Sequence, residues 1–114
     1  MNTHTSSYRA GTSRTARAVR EMRPHAAKAA ALLKALGNEQ RLMVLCNLVG
    51  GPLSVSELND RVPLSQSALS QHLAILREAG IVTTQREAQS VIYSLPSGIA
   101  TRIIEQLHEE FCPR

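Results

Sequence analysis

Two cysteines, Cys46 and Cys112, are the residues of this chain whose side chains have the clearest capacity for chemistry. Two thiols that meet in a folded protein can be oxidised to a disulfide and reduced again. Because the two residues lie far apart in the sequence, any bond between them requires a tertiary contact. The alternative is a structural Cys46, packed as a small apolar side chain, and an incidental cysteine near the chain end. The residues alone leave both interpretations open.

Histidine and carboxylate side chains make a weaker case for a metal site. Glu105 and His108 stand three residues apart on a predicted helix and could supply two ligands, but such pairs more often form a solvated helix face. His4 and His25 have no companions in the sequence. We therefore predict no metal ion and no cofactor.

A third group of functional side chains lies between Leu64 and Gly80, where apolar residues recur at helical spacing. The predicted inner face consists of Leu69, Leu73 and Leu76, with Ala68, Ile75 and Ala79 on its flank. Short polar side chains gather on the other face, in the first two turns: Gln66, Ser67, Ser70 and Gln71. Side chains of this kind can approach the edges of DNA bases. Ser65 is expected to cap the start of this helix, and Gly80 its end.

The elements around this helix make its interpretation more specific. Ser54 and Glu57 have the spacing of a capping box, so a short helix is expected to start there and run to about Arg61, before Pro63 prevents its continuation. A short helix, a tight turn and a longer helix form a helix-turn-helix, although helix pairs in enzymes look similar. The segments 81–86 and 90–95 then predict a β-hairpin. The predicted fold is mainly α with a small β-hairpin wing.

The segment LSQSALSQHLAILREAGIVTTQREAQSVIYSL closely resembles the ArsR family of winged-helix bacterial repressors, and the likeness extends from about His25 to Cys112. The resemblance implies a homodimer, with the first and last helices at the interface, that leaves its operator DNA when an inducer binds or a thiol pair is oxidised. The Cys-x-Cys metal motif of the family would fall near residues 54–60, where this chain has no cysteine.

One branch of that family, the sulfide-, persulfide- and redox-responsive repressors, is similar in a further respect. It carries one cysteine in an RLMLVC-like second helix and another in a C-terminal FC, and the matching segments here are RLMVLC and FC. The resemblance implies that reactive sulfur species or oxidants link Cys46 to Cys112 through a disulfide or polysulfide and release DNA. An apolar surrounding and the neighbouring Glu109 and Glu110 are expected to raise thiol pKa values, unless His25 or His108 lies close.

The predicted DNA-contacting residues come from the helix and the wing together. They are Ser65, Gln66, Ser67, Ser70, Gln71, His72, Arg77, Arg86 and Gln89. His72 is expected to pack within the motif or to contact a DNA phosphate, and not to bind a metal ion.

Three further helices complete the predicted domain. An Ala-rich helix runs from Pro24 to Leu36 and ends at Gly37, and Asn38 caps the next one. The core-facing residues of that second helix are Leu42, Leu45, Cys46 and Val49. The last helix spans residues 96–111, with its apolar side formed by Ile99, Ile103, Ile104, Leu107 and Phe111.

Composition predicts one domain, residues 24–112, after a flexible basic tail, residues 1–23. The alternative for the second half of this tail is that Arg14, Arg17, Arg20 and Arg23 extend the next helix backwards. The chain has 114 residues, 43% of them hydrophobic but only three aromatic, so a dimer interface would help to complete the core. No apolar run of about 18 residues and no secretion signal is evident, which predicts a cytoplasmic protein. Residues 1–37 contain seven basic residues against Glu21 alone. The tail is therefore either a solubilising leader or an arm that contacts DNA phosphates.

The predicted function is a homodimeric repressor rather than an enzyme. The alternatives are a metal-responsive repressor, a thiol oxidoreductase and a protein-interaction module that has lost DNA binding. The oxidoreductase is disfavoured because the chain has no Cys-x-x-Cys.

Overall fold

The computed structural model describes the backbone of residues 5–112 and the side chains of residues 14–112. The chain divides into two compact units, the first ending at Ala31 and the second beginning at Leu32. No helix in the described part of the chain is both long and apolar enough to cross a membrane.

The first unit is helical over most of the segment predicted as a flexible tail. Helix α1 spans Thr5–Met22, and a 3-10 turn, Arg23–His25, connects it to helix α2, Ala26–Leu36. Alanine and arginine are good helix formers, which accounts for a helix among the serines and threonines of this segment. The flexibility of the tail remains a prediction. Residues 1–4 of the predicted tail lie outside the described range. The division at residues 23 and 24 remains a prediction.

Capping residues set the starts of the next two helices, as predicted. Helix α3, Glu39–Leu48, begins after Asn38, whose side chain accepts a hydrogen bond from the Arg41 N–H at 3.0 Å. Helix α4, Val55–Arg61, begins with the full capping box, and hydrogen bonds from Ser54 lower the pKa of the Glu57 carboxyl. The Asn59 side chain donates to the Leu64 carbonyl at 3.2 Å and so fixes the turn that follows.

Helix α5, Gln66–Glu78, has the predicted caps at both ends. The Ser65 hydroxyl accepts from the Ala68 N–H at 3.1 Å. At the other end Gly80 has φ +74°, the Gly80 N–H donates to the Arg77 carbonyl, and the Ile81 N–H donates to the Leu76 carbonyl at 2.9 Å. This pair of bonds is a Schellman motif, which needs a left-handed residue and therefore favours glycine.

The predicted wing is present and belongs to a slightly larger sheet. Strands β2, Thr83–Glu87, and β3, Ser90–Ser94, pair in antiparallel register around a two-residue turn, with Ala88 at φ +54°. A strand of two residues, β1, Leu53–Ser54, pairs with the other edge of β3 and gives the order β1-β3-β2. A strand of two residues is too short to show an alternation of apolar and polar side chains, so it was not predicted.

One apolar core joins the helices and the sheet of the second unit. Its most deeply buried large side chains are Leu45, Leu58, Leu69, Leu73, Leu76, Ile81 and Ile104. The inner face predicted for α5 is confirmed, but Ile75 and Ala79, predicted on its flank, are exposed because they lie away from the core. Leu42, Cys46 and Val49 are half-buried at the edge of this core.

The last helix, α6, spans Ile99–Phe111 and therefore begins three residues later than predicted, after Gly98. Only Ile104 of its apolar side chains is fully buried. Ile99 is 57% exposed and Phe111 76% exposed. The helix therefore packs on α3 with part of its apolar surface and leaves the rest uncovered in a single chain.

Candidate DNA interface and cysteine pair

The polar face of α5 is open to solvent at the start of the helix. Gln66, Ser67, Ser70 and Gln71 are all exposed. The Ser65 hydroxyl is already engaged, since it caps the helix and lies 3.4 Å from the Ser67 hydroxyl. Gln66, Ser70 and Gln71 thus present exposed polar groups to a ligand, while Ser65 mainly fixes the helix end and Ser67 contacts it.

A polar groove of about 510 Å³ brings two of the predicted DNA-contacting residues together. Gln66 lies at the start of α5 and Gln89 in the turn of the wing, and both line this groove with Ser54, Asn59 and Ser90. Asp60 also lines it and places a carboxylate near the groove. Helix α5 and the wing therefore both contribute polar side chains to this groove, and the contacts of these residues with DNA remain predictions.

The predicted arginines lie in different surroundings. Arg77 shares a depression with Ser70 and Tyr93, farther along α5. Arg86 is exposed on β2, opposite Val91 of β3. The two arginines therefore lie on different elements, one on α5 and one in the wing.

His72 is held by the protein itself. Its ring nitrogens contact Gln40 at 3.0 Å and Arg41 at 3.4 Å, both in the first turn of α3. The sequence did not indicate these two partners, because residues more than 30 positions apart leave no local pattern. His72 therefore makes contacts within the protein, and both of its ring nitrogens have partners there. The inclusion of His72 among the DNA-contacting residues remains a prediction.

Cys46 and Cys112 are not linked to each other. Cys46 is half-buried on α3, and Cys112 is exposed directly after α6. Because α6 packs on α3, the fold brings together the helix that carries Cys46 and the helix that Cys112 follows, which the sequence could not establish. Burial is the main cause that raises the pKa of Cys46, and the charge of a Cys112 thiolate raises it further.

The raised pKa of Cys46 predicts slow alkylation at neutral pH. Because only the thiolate reacts, the rate at Cys46 should keep rising past about pH 8.5, the usual pKa of a free thiol. Replacing Cys112 by serine removes one of the two causes and should move the profile to lower pH. Mass mapping of iodoacetamide adducts across neutral and alkaline pH measures both profiles. A Cys46 profile that levels off below the usual thiol pKa would contradict this environment.

Within the described residues, no three histidine, cysteine or carboxylate side chains cluster in a way that could hold a metal ion. His108 is half-buried and Glu105 exposed on α6, while His25 lies in the first unit. His4 lies outside the described residues.

Comparison with known proteins gives consistent similarities. A model of "bacterial regulatory protein, arsR family" matches residues 38–84. The transcriptional activator HlyU of Vibrio cholerae is 53% identical over 94 residues, which cover 82% of this chain and 87% of the relative. The biofilm growth-associated repressor of Agrobacterium fabrum is 46% identical over 91 residues, covering 80% and 78%. These relatives are named as transcriptional regulators, not as enzymes.

Solved structures show the same fold. The structure of reduced HlyU from Vibrio cholerae aligns with a TM-score of 0.76 at 54% identity and covers 82% of this chain and 98% of the other. The repressor BigR from Xylella fastidiosa aligns with a TM-score of 0.72 at 39% identity, covering 83% and 97%. The fold is therefore a winged helix, mainly helical with a three-stranded antiparallel sheet.

Proposed function

This chain belongs to the arsR family of bacterial regulatory proteins, and we propose that it is a homodimeric repressor that leaves its operator when Cys46 and Cys112 become covalently linked. The observation that carries the proposal is the packing of α3, which contains Cys46, against α6, which Cys112 directly follows. The same chain presents an open polar helix face, so the sensing and DNA-reading surfaces belong to one compact unit.

The chemistry of α5 supports base reading in the major groove. Glutamine can form two hydrogen bonds with adenine, and serine can donate or accept at several base edges. Gln66, Ser70 and Gln71 are short or unbranched enough to approach those edges without steric conflict. We therefore assign specificity to these side chains and assign backbone contacts to Arg77 and Arg86.

The redox step balances with either class of oxidant. With hydrogen peroxide, Cys46 and Cys112 lose two electrons and two protons, form a disulfide, and yield two water molecules. With hydrogen trisulfide, one sulfur atom is retained between the cysteines and two molecules of hydrogen sulfide leave. The exposed Cys112 meets the oxidant first, and the half-buried Cys46 then displaces the leaving group.

Uncovered apolar side chains support a homodimer. Leu33 on α2 is 58% exposed, and Ile99 and Phe111 on α6 leave further apolar surface open. A second copy of the chain would bury these side chains and place two α5 helices on successive turns of DNA, about 34 Å apart. Because its ligand is chromosomal DNA, we place the protein in the cytoplasm.

Two measurements made side by side test the proposal. Binding of the reduced dimer to a duplex that it enriches from a random-sequence library is compared before and after treatment with polysulfide or peroxide. Intact mass then identifies a disulfide or a linkage with extra sulfur. DNA release without either mass change would contradict the cysteine mechanism.

The basic residues of α1 predict a salt effect on DNA binding. Arg14, Arg17 and Arg20 are exposed, whereas the second unit carries slightly more acidic than basic residues. If these arginines contact phosphates, replacing all three by glutamine should flatten the log–log salt dependence by about 0.9 for each phosphate that the variant no longer neutralises. Arg102→Gln on α6 is the single-charge control and should leave the slope unchanged. An unchanged slope in the triple variant would show that α1 serves solubility.

A further inference from the structure

His72 connects α5 to α3 through both of its ring nitrogens. Nε2 lies 3.0 Å from Gln40 Oε1, and Nδ1 lies 3.4 Å from Arg41 Nη1. A guanidinium can only donate, so Nδ1 accepts and the proton of the neutral ring is on Nε2, which donates to Gln40. Two neighbouring residues in the first turn of α3 therefore hold both edges of the ring.

Arg41 is itself held in place by the end of α2. Its Nε donates to the Ala35 carbonyl at 2.7 Å, and Nη2 lies 3.5 Å from the Lys34 carbonyl. These carbonyls belong to the last turn of α2, where backbone acceptors lack helical partners and a positive charge is favourable. The guanidinium thus joins α2, α3 and α5 in one polar network.

This network provides directional contacts between helices that otherwise meet through apolar side chains. Within residues 14–112, the bonds of His72 are the only hydrogen bonds between two side chains that join different helices. Leu69 and Leu73 of α5 share the apolar core with Leu45 of α3. The buried leucines decide which face of α5 turns to the core, and the hydrogen bonds of His72, which depend strongly on angle, add a directional constraint on the rotation of the helix about its axis.

The network also lies between the two surfaces of the proposed function. His72 directly follows Gln71, which is assigned to base reading, and Arg41 shares α3 with Cys46. We infer that Gln40 and Arg41 are positioning residues that aim the base-reading face of α5 through His72. A displacement of α3 on linkage of Cys46 would then reach Gln71 through this network. This inference rests on the proposed function and names the residues that connect its two sites.

Gln40 offers a clean test because it is exposed and its side chain closely matches methionine in length. Gln40→Met removes the acceptor for His72, and Gln40→Glu keeps one. The DNA is the duplex enriched by the parent from a random library, compared with an unrelated duplex of equal length. Gln106→Met, at an exposed position on α6, makes the same chemical change away from the network.

We expect Gln40→Met to reduce the ratio of cognate to non-specific affinity by about 2- to 10-fold, the range for one neutral hydrogen bond. The thermal midpoint should fall by no more than about 4–8 °C, so the variant stays folded in the binding assay. Gln40→Glu should restore most of this ratio, and Gln106→Met should leave it unchanged. The fold-change between reduced and polysulfide-treated protein should shrink in Gln40→Met alone.

Several results would overturn the inference. These are an unchanged affinity ratio in Gln40→Met, an equal loss in Gln106→Met, or a loss that Gln40→Glu fails to restore. Failure of the proposed function is distinguishable, because then the parent itself would enrich no sequence or would stay bound after oxidation. The positioning role would fall with it.

Discussion

Cys46→Ser and Cys112→Ser should each bind operator DNA like the reduced parent and fail to release it on oxidation. Either substitution removes one sulfur atom of the proposed bridge, so α3 and α6 can no longer be joined. A coupling of about 3 kcal/mol between linkage and DNA binding corresponds to a change in affinity of roughly 150-fold. That entire change should disappear in both variants, whereas the affinity of the reduced protein should stay within about twofold of the parent value.

The measurement is the operator affinity of each variant with and without polysulfide, accompanied by intact mass. Cys112 is exposed and Cys46 half-buried, so Cys112→Ser is the variant less disturbing to the fold. If either variant still dissociates on treatment, the two-cysteine mechanism is wrong. A different inducer would then have to act on the same helices.

Gln71→Ala should produce the second largest effect, a loss of sequence-specific affinity. The Gln71 side chain is exposed in the second turn of α5 and can form a bidentate pair with adenine. Its truncation should cost on the order of 1–3 kcal/mol at the cognate duplex and leave non-specific binding almost unchanged. Competition between the two duplexes at one fixed salt concentration measures this difference.

Gln106→Ala is the matched control, because it shortens an exposed glutamine on a different helix. It should bind both duplexes like the parent. An equal loss for both duplexes in Gln71→Ala would show that this residue contacts the DNA backbone or supports the helix, not base identity.

Local signals account for the parts of the fold that the sequence predicted well. The caps of α4 and α5 use side chains that accept from backbone N–H groups three residues away: Ser54, Glu57 and Ser65. The spacing of these residues in the sequence therefore predicted where the two helices start. Gly80 marked the end of α5 for a similar reason. The bonds in these caps depend on neighbours in the sequence, and the residue types that can make them are few.

The remaining features depend on residues that meet only after folding. The contact of His72 with Gln40 and Arg41 links α5 to α3 outside the apolar core, and no local pattern specifies it. The packing of α6, which Cys112 follows, on α3, which carries Cys46, is likewise a tertiary contact. The contacts of Gln71 and its neighbours with DNA remain predictions, since they require the ligand.

The Schellman motif at the end of α5 limits, in the proposed complex, which changes in the operator sequence the protein can follow. The Ile81 N–H donates to the Leu76 carbonyl of α5, so only Val82 separates this bonded residue from the first strand of the wing. A residue inserted into this junction would displace the wing from its place beside the helix. In the proposed complex, the backbone would therefore fix the spacing between the bases contacted by α5 and the DNA near Gln89. Single-base changes in the operator would keep this spacing, whereas a change in spacing would require a different junction.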